Sequence, residues 1–256
     1  MIHLIACRMA TYRDCQDEAW THLPAVGVRH LETWMPAADE VDALRGRLDT
    51  SGLTLVMLDA KCDITAADHA EVLAAQLDRC AALSCPIFFL SVKAGEMDRA
   101  KVYSRLRRLG DEADRRDLTV VLETHPDLLT NSRVALETIT AVDHPRVRIN
   151  FDPANICYYN DGLDPIAELR TILAFVHGVH LKDSVGRIGE WNFPPLGQGV
   201  IDYPALFSTL DKHGFDGPYS MELEGVEGTT QTADEVKREV EQSIEYLRRI
   251  GAMRSH

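Results

Sequence analysis

The alternation of short apolar runs with longer helical stretches constrains the fold of this chain more than any other feature of its sequence. Eight runs are almost continuously apolar, as is typical of strands buried on both faces of a parallel sheet. They span residues 2–9, 28–35, 53–60, 86–92, 118–125, 147–154, 176–183 and 218–225. Segments with helical character cover residues 15–26, 37–52, 65–84, 98–117, 132–142, 164–175, 202–214 and 232–251. This order predicts repeated strand–helix units.

Eight such units in 256 residues average about 32 residues each, the size of one unit in a closed (β/α)8 barrel. The sequence therefore predicts an α/β fold, a TIM barrel that forms one domain over residues 1–256. An open doubly wound sheet is the alternative. That fold usually has a glycine-rich turn after its first strand, and residues 6–15 contain no glycine.

The charge, hydropathy and cysteine content of the chain limit the molecules that it is expected to bind. The formal net charge is −13, from 40 acidic and 27 basic residues, and an acidic surface repels the phosphates of nucleic acids. The longest apolar runs are too short to span a membrane, and the first ten residues lack the pattern of a signal peptide. Six cysteines without a CxxC pair fit reduced thiols. We expect a cytoplasmic protein that binds neither nucleic acid nor membrane.

Acidic and imidazole side chains stand at the ends of the last four apolar runs. These are Glu123, Asp152, His180 and Glu222. Strand ends meet at the mouth of a barrel, where active sites lie, and three carboxylates so close together would repel one another without a cation. The set suits a divalent ion such as manganese, magnesium or cobalt, and zinc is also compatible. Alternatively, each residue is a salt-bridged rim residue. Glu224, on the same strand face as Glu222, is a rival ligand.

Further polar and aromatic residues follow the predicted strands and could contact a small polar substrate at the same mouth. The candidates are Trp34, Lys93, His125, Asn155, Lys182 and Arg187. Trp34 would supply an apolar wall, and the others would donate hydrogen bonds to hydroxyl or carbonyl oxygens. Each could equally be an exposed rim residue. The segment 184–199, with Trp191 and Phe193, could cover the substrate or form a dimer contact.

Four segments carry a family resemblance: LETH at 122–125, FDPAN at 151–155, HLKD at 180–183 and the run at 195–224. There the chain resembles the xylose isomerase-like barrel superfamily, and the likeness spans essentially its whole length. That group includes sugar isomerases, ketose 3-epimerases, hydroxypyruvate isomerase, inosose dehydratase and endonuclease IV. The segments are specific for the superfamily but not for one substrate.

The resemblance implies that Glu123 and Glu222 are both metal ligands and acid/base groups, and that Asp152 and His180 are ligands. It places His125, Asn155, Lys182 and Arg187 near the substrate, and it suggests a homodimer. The endonuclease branch uses additional histidines for a three-metal cluster. Those are missing here from the ends of the first and fourth predicted strands, which counts against DNA repair.

The expected activity is metal-dependent isomerisation or epimerisation of a small sugar or hydroxy-ketone through an enediolate. The metal would stabilise the enediolate, and Glu123 and Glu222 would divide the base and acid roles. Three alternatives remain open. One is a sugar or inosose dehydratase with the same metal site. The others are a phosphodiester hydrolase like endonuclease IV and a non-catalytic sugar-binding barrel.

Overall fold

Eight parallel strands close into a barrel in the computed structural model, which describes residues 3–254. The barrel strands are β1 (Leu4–Arg8), β2 (His30–Trp34), β3 (Thr54–Asp59), β4 (Ile87–Leu90), β5 (Thr119–Glu123), β6 (Val147–Phe151), β7 (Val176–Leu181) and β9 (Pro218–Met221). Strand β9 pairs with both β7 and β1, which closes the ring. The predicted (β/α)8 barrel and its eight strands are confirmed, and the open sheet is wrong.

Helices surround this barrel. They are α1 (Gln16–Ala25), α2 (Val41–Ser51), α3 (His69–Ala82), α4 (Arg99–Asp114), α5 (Ser132–Val142), α6 (Pro153–Tyr159), α7 (Pro165–Ile172), α8 (Tyr203–His213) and α9 (Ala233–Arg249). Short 3-10 turns cover Met9–Cys15, Ala38–Glu40 and Leu173–Phe175. Helix α9 shows why such segments pack on the barrel. Its buried side chains Val236, Val240, Ile244 and Leu247 recur at helical spacing and form one apolar face.

Helix α6 lies where the sequence predicted the end of a strand. The strand expected to run to residue 154 ends at Phe151, because Asp152 caps a helix that begins at Pro153. One carboxylate oxygen of Asp152 accepts the backbone N–H groups of Ala154 at 2.9 Å and Asn155 at 3.0 Å. Aspartate at the cap followed by proline at the first helical position is a strong helix start. The same residue therefore ends a strand at the mouth and starts a helix.

Asp183 holds the segment that follows β7, residues 184–201, against the barrel. The Asp183 carboxylate accepts backbone N–H groups from Ser184, Gly197, Gly199 and Ile201 at 2.8–3.2 Å. A side chain at Gly199 would collide with this carboxylate, which explains the glycine. Two short strands, β8 (Asn192–Phe193) and β10 (Gly225–Val226), pair antiparallel across the mouth. This pairing ties segment 184–199 to the chain that follows β9, while its role as a substrate cover or a dimer contact stays a prediction.

Within residues 3–254, none of the helices has the length and hydropathy that crossing a bilayer requires. All six cysteines are free thiols.

Candidate metal and active site

Four buried side chains meet at the carboxyl ends of four successive barrel strands. They are Glu123, Asp152, His180 and Glu222, and each offers a ligand atom that lies within 4.8 Å of the other three. Glu123 ends β5, Asp152 follows β6, His180 lies in β7 and Glu222 follows β9. The barrel therefore brings together the four residues that the sequence singled out as metal ligands.

The imidazole of His180 has two different environments. Its Nδ1 lies 3.4 Å from Glu123 Oε1 and 3.1 Å from Glu222 Oε2. Its Nε2 lies 3.2 Å from both carboxylate oxygens of Glu32 on β2. The ring also packs 5.1 Å from the Phe89 ring, which limits its rotation. The Nδ1 side of the ring consequently faces Glu123 and Glu222.

Two of the four donor atoms, Asp152 Oδ2 and His180 Nδ1, are buried and make no hydrogen bond of good geometry among the described residues, although each has an ionic neighbour. Asp152 Oδ1 is used by the cap of α6, which leaves Oδ2 for an ion, and Lys182 Nζ lies 2.8 Å from it. Buried polar atoms are normally hydrogen-bonded or bound to an ion. Three carboxylates and one imidazole around such atoms are the donor set of a hard or borderline divalent cation. The residues therefore fit a divalent metal.

Two basic side chains neutralise part of the carboxylate charge. Lys182 Nζ lies 2.8 Å from Asp152 Oδ2, 3.1 Å from Glu222 Oε2 and 3.0 Å from Glu224 Oε2. The guanidinium of Arg8, on β1, contacts three carboxylates, one of which Lys182 also contacts. These belong to Glu32, Asp59 and Glu222. Arg8 was missed by the sequence analysis. Its signal was a charged residue inside the first apolar run, IHLIACRM.

These contacts set different pKa values for neighbouring carboxyl groups. Burial disfavours the charge of Glu222, but Lys182, Arg8 and His180 outweigh burial and hold the pKa of Glu222 well below its usual range. Burial raises the pKa of Asp152, and Lys182 only partly opposes that rise. Burial and the Glu222 charge raise the pKa of Glu224 to about 7. Glu222 is therefore the carboxylate most firmly kept ionised among these three.

Comparison with known proteins decides the family. The model of the xylose isomerase-like TIM barrel family matches residues 22–250. The chain belongs to this family. L-ribulose-5-phosphate 3-epimerase of Salmonella paratyphi C (strain RKS4594) is 26% identical over 157 residues, which cover 61% of this chain and 52% of that protein. The match therefore spans about half the length of that curated relative.

Solved structures share the fold over nearly the whole chain. D-psicose 3-epimerase of Clostridium cellulolyticum H10, solved with D-tagatose, has a TM-score of 0.77 at 14% identity and covers 97% of this chain and 99% of its own. The probable 3-DHS dehydratase of Bacillus anthracis has a TM-score of 0.76 at 17% identity, with 96% and 98% covered. At these identities the likeness shows the fold alone.

Three of the predicted substrate-contacting residues of this xylose isomerase-like barrel lie beside the four-residue group. Lys182 contacts two of its members directly. Asn155 is buried behind Asp152, and its side-chain amide donates to the Thr124 carbonyl at 3.1 Å. His125 is half-buried, with its ring 5.0 Å from that of Tyr159. Their role in substrate binding stays a prediction.

The other three candidates occupy more peripheral positions. Trp34 lines a cavity of about 410 Å³ between α1 and α2, together with Trp20. Lys93 is exposed beside a separate surface cavity of about 560 Å³. Arg187 is exposed and pairs with Glu190 at 3.2 Å. The structure gives these side chains surroundings of their own rather than a shared pocket.

An aromatic cluster on α6 and the β8 segment includes Trp191 and Phe193, which the sequence suggested as a substrate cover or a dimer contact. Tyr158 packs against Tyr159, Trp191 and Phe193 with ring centroids 4.8–5.9 Å apart. The Lys182 ammonium lies 5.0 Å from the centre of the Phe193 ring. This apolar wall therefore adjoins the charged group directly, a position that had been expected for Trp34.

Proposed function

We propose that this xylose isomerase-like barrel is a divalent-metal-dependent isomerase or epimerase of a small sugar or hydroxy-ketone. The observation that carries the proposal is the buried group of Glu123, Asp152, His180 and Glu222, with ligand atoms within 4.8 Å of one another. Family membership supports it, and so does the relative named as a sugar-phosphate 3-epimerase.

The four residues of the group would hold the cation. A divalent ion there would supply Lewis-acid stabilisation of the negative charge that develops on the substrate's carbonyl oxygen, and manganese, magnesium, cobalt and zinc all suit the donors. Glu222, kept ionised by Lys182 and Arg8, would accept a proton from the carbon beside the carbonyl. Glu123 would return a proton from the opposite side. Return to the neighbouring carbon gives isomerisation, and return to the other face gives epimerisation.

Hydrogen–deuterium exchange at carbon tests this chemistry. The protein is incubated in heavy water with manganese or magnesium and a panel of ketoses, inososes and hydroxypyruvate, and loss of C–H signals is followed by NMR. Exchange with any member is the expected result, and the labelled carbon separates 1,2-isomerisation from 3-epimerisation. If the metal binds but no panel member exchanges, the proposed reaction is wrong for these substrates.

A glutamine variant tests the proton-transfer role. Glu222→Gln should slow exchange by about 10²–10⁴-fold, the typical contribution of a positioned acid or base. Glu245→Gln makes the same chemical change on an exposed face of α9 and should exchange at the wild-type rate. Wild-type exchange by Glu222→Gln would remove Glu222 as a base.

Dehydration is a second candidate, because an ammonium group lies within the site. Lys182 Nζ is 3.1 Å from Glu222 Oε2, so it could protonate a departing hydroxyl after Glu222 has accepted the carbon-bound proton. One of the structurally similar proteins is named as a probable dehydratase, which makes this alternative worth testing. The same NMR experiment separates dehydration from isomerisation or epimerisation. Dehydration consumes the substrate and gives new product signals, whereas the other two reactions leave deuterium in the recovered sugar.

A further inference from the structure

We propose that Glu32, held in place by Arg8, is a positioning residue that presents His180 Nδ1 to the cation and strengthens that nitrogen as a ligand. Glu32 lies on β2 and Arg8 on β1, two strands that contribute no member of the four-residue group. The inference rests on the proposed function, because it requires that the group holds a divalent ion.

Glu32 contacts the ring nitrogen of His180 that is turned away from Glu123 and Glu222. Both side chains are completely buried, and both Glu32 oxygens lie 3.2 Å from His180 Nε2. An ionised carboxylate can only accept hydrogen bonds, so Nε2 must be the donor. Nδ1 faces the carboxylates of Glu123 and Glu222, so without a cation it can carry a proton as well. A cation held by the four-residue group would take the Nδ1 lone pair and leave Nε2 as the donor to Glu32.

A carboxylate in this position affects the basicity of the coordinating His180 nitrogen as well as the orientation of the ring. When the second nitrogen of a metal-bound imidazole donates to a carboxylate, the ring is fixed and the coordinating nitrogen becomes more basic. Losing such a partner typically weakens metal binding by about 10–100-fold. Glu32 therefore affects the site although its own oxygens face the far side of the imidazole.

Arg8 is the reason that a carboxylate can be buried there. A fully buried anion is costly unless a cation compensates it. Arg8 Nε lies 3.3 Å from Glu32 Oε1, and its two terminal nitrogens contact Asp59 and Glu222. The guanidinium also lies 5.4 Å from the Phe89 ring, on which His180 packs. Arg8 thus fixes Glu32 and one of the four ligands at once.

A purely structural salt bridge is the competing explanation for Glu32. In that case Glu32 would only balance the charge of Arg8, as Asp59 does, and its contact with His180 would be incidental. The two explanations differ in what they predict for metal affinity. Asp59 contacts Arg8, whereas the ion pairs of His180 are with Glu32, Glu123 and Glu222, so Asp59 provides a matched control in the same charged cluster.

The experiment titrates Mn²⁺ into metal-free wild type, Glu32→Gln, Glu32→Leu and Asp59→Asn by calorimetry. Electron spin echo spectra of the bound Mn²⁺ report its coupling to the imidazole nitrogen. Glu32→Leu should raise the Kd by about 10–100-fold and alter the nitrogen coupling. Glu32→Gln keeps an acceptor oxygen without the charge and should show a smaller rise. Asp59→Asn should bind Mn²⁺ with a Kd and a coupling close to those of wild type.

Several outcomes would overturn the inference. A Kd unchanged in both Glu32 variants would do so, and so would an equal loss of affinity in Asp59→Asn and Glu32→Gln. If Glu32→Leu does not fold, as judged by circular dichroism, Glu32→Gln alone decides between the two explanations. A wild type that binds no divalent ion contradicts this inference together with the proposed function. A wild type that binds Mn²⁺ and exchanges substrate protons, with variants that bind equally well, contradicts the inference only.

Discussion

Asp59 should make the stability of the protein depend on pH. Its carboxylate contacts Arg8 at the end of β3, yet burial raises the pKa of Asp59 to about 6. An unfolded aspartate has a pKa of about 3.9. The folded chain therefore binds this proton more tightly than the unfolded chain. The contribution to stability is largest near pH 4, falls as the pH rises towards 6 and stays low above that.

Urea unfolding of metal-free wild type and Asp59→Asn between pH 4 and pH 7.5 measures this contribution. The stability of wild type relative to the variant should fall by about 2 kcal/mol across that range, somewhat less than two full pKa units because unfolded aspartate is already half ionised at pH 4. The asparagine does not titrate, so the comparison removes the pH dependence of all other groups. A constant difference would show that Asp59 stays ionised throughout and that Arg8 outweighs burial.

Single residues at the mouth differed in how well the sequence predicted them. Glu123, Asp152, His180 and Glu222 each follow or interrupt an apolar strand, and the barrel rule places all strand ends at one mouth. Arg8 has the same kind of signal, but a lone basic residue in the first strand could face either side. Its position is decided by carboxylates on β2, β3 and β9, which only the folded barrel brings together.

Among the connecting elements, the segment between β7 and α8 depends on Asp183. Its two carboxylate oxygens accept four backbone N–H groups from residues that lie as far along the chain as Ile201. In Asp183→Asn the new NH₂ group faces two of these donors and cannot accept from them. Each unsatisfied N–H costs about 1–3 kcal/mol. The variant should therefore lose about 2–6 kcal/mol of unfolding free energy in urea titrations.

The control for this element is Asp202→Asn, at the start of α8. Asp202 is exposed and caps the helix by accepting the Ala205 N–H at 2.9 Å. Asparagine caps helices about as well as aspartate, so the unfolding free energy should change by less than about 0.5 kcal/mol. Equal stability of the two variants would mean that the segment does not depend on the Asp183 contacts.

Helices and strands were predictable where the element was long enough to show its hydrophobic period, and short elements were not. The eight barrel strands and the long helices have enough apolar positions to show their period. Helix α6 has seven residues, and its start signal at Asp152–Pro153 lies inside an apolar run that indicated strand. Strands β8 and β10 have two residues each and lie about thirty residues apart in the sequence, and no local pattern marks their pairing. Such pairings are decided by tertiary contacts.

At the scale of the whole molecule, the four-residue group of Glu123, Asp152, His180 and Glu222 links distant parts of the chain. Its members come from four strands between β5 and β9, and Arg8 on β1 connects that group to β2 and β3. A cation that binds only when these strands are assembled must stabilise the closed barrel against unfolding. At a metal concentration 100 times the Kd, the gain is about 2.7 kcal/mol. In a chain of this size this corresponds to a rise in Tm of about 5–10 °C.

Thermal unfolding of metal-free protein with added Mn²⁺, and again after chelation, measures this gain. Asp152→Asn is the informative variant, because asparagine can still cap α6 while the ligand loses its charge. Its Tm should respond much less to Mn²⁺ than that of wild type, and chelation should return wild type to its metal-free Tm. An equal rise in both proteins would locate the stabilising cation away from Asp152. The stabilisation would then come from the acidic surface in general, since the net charge is −13.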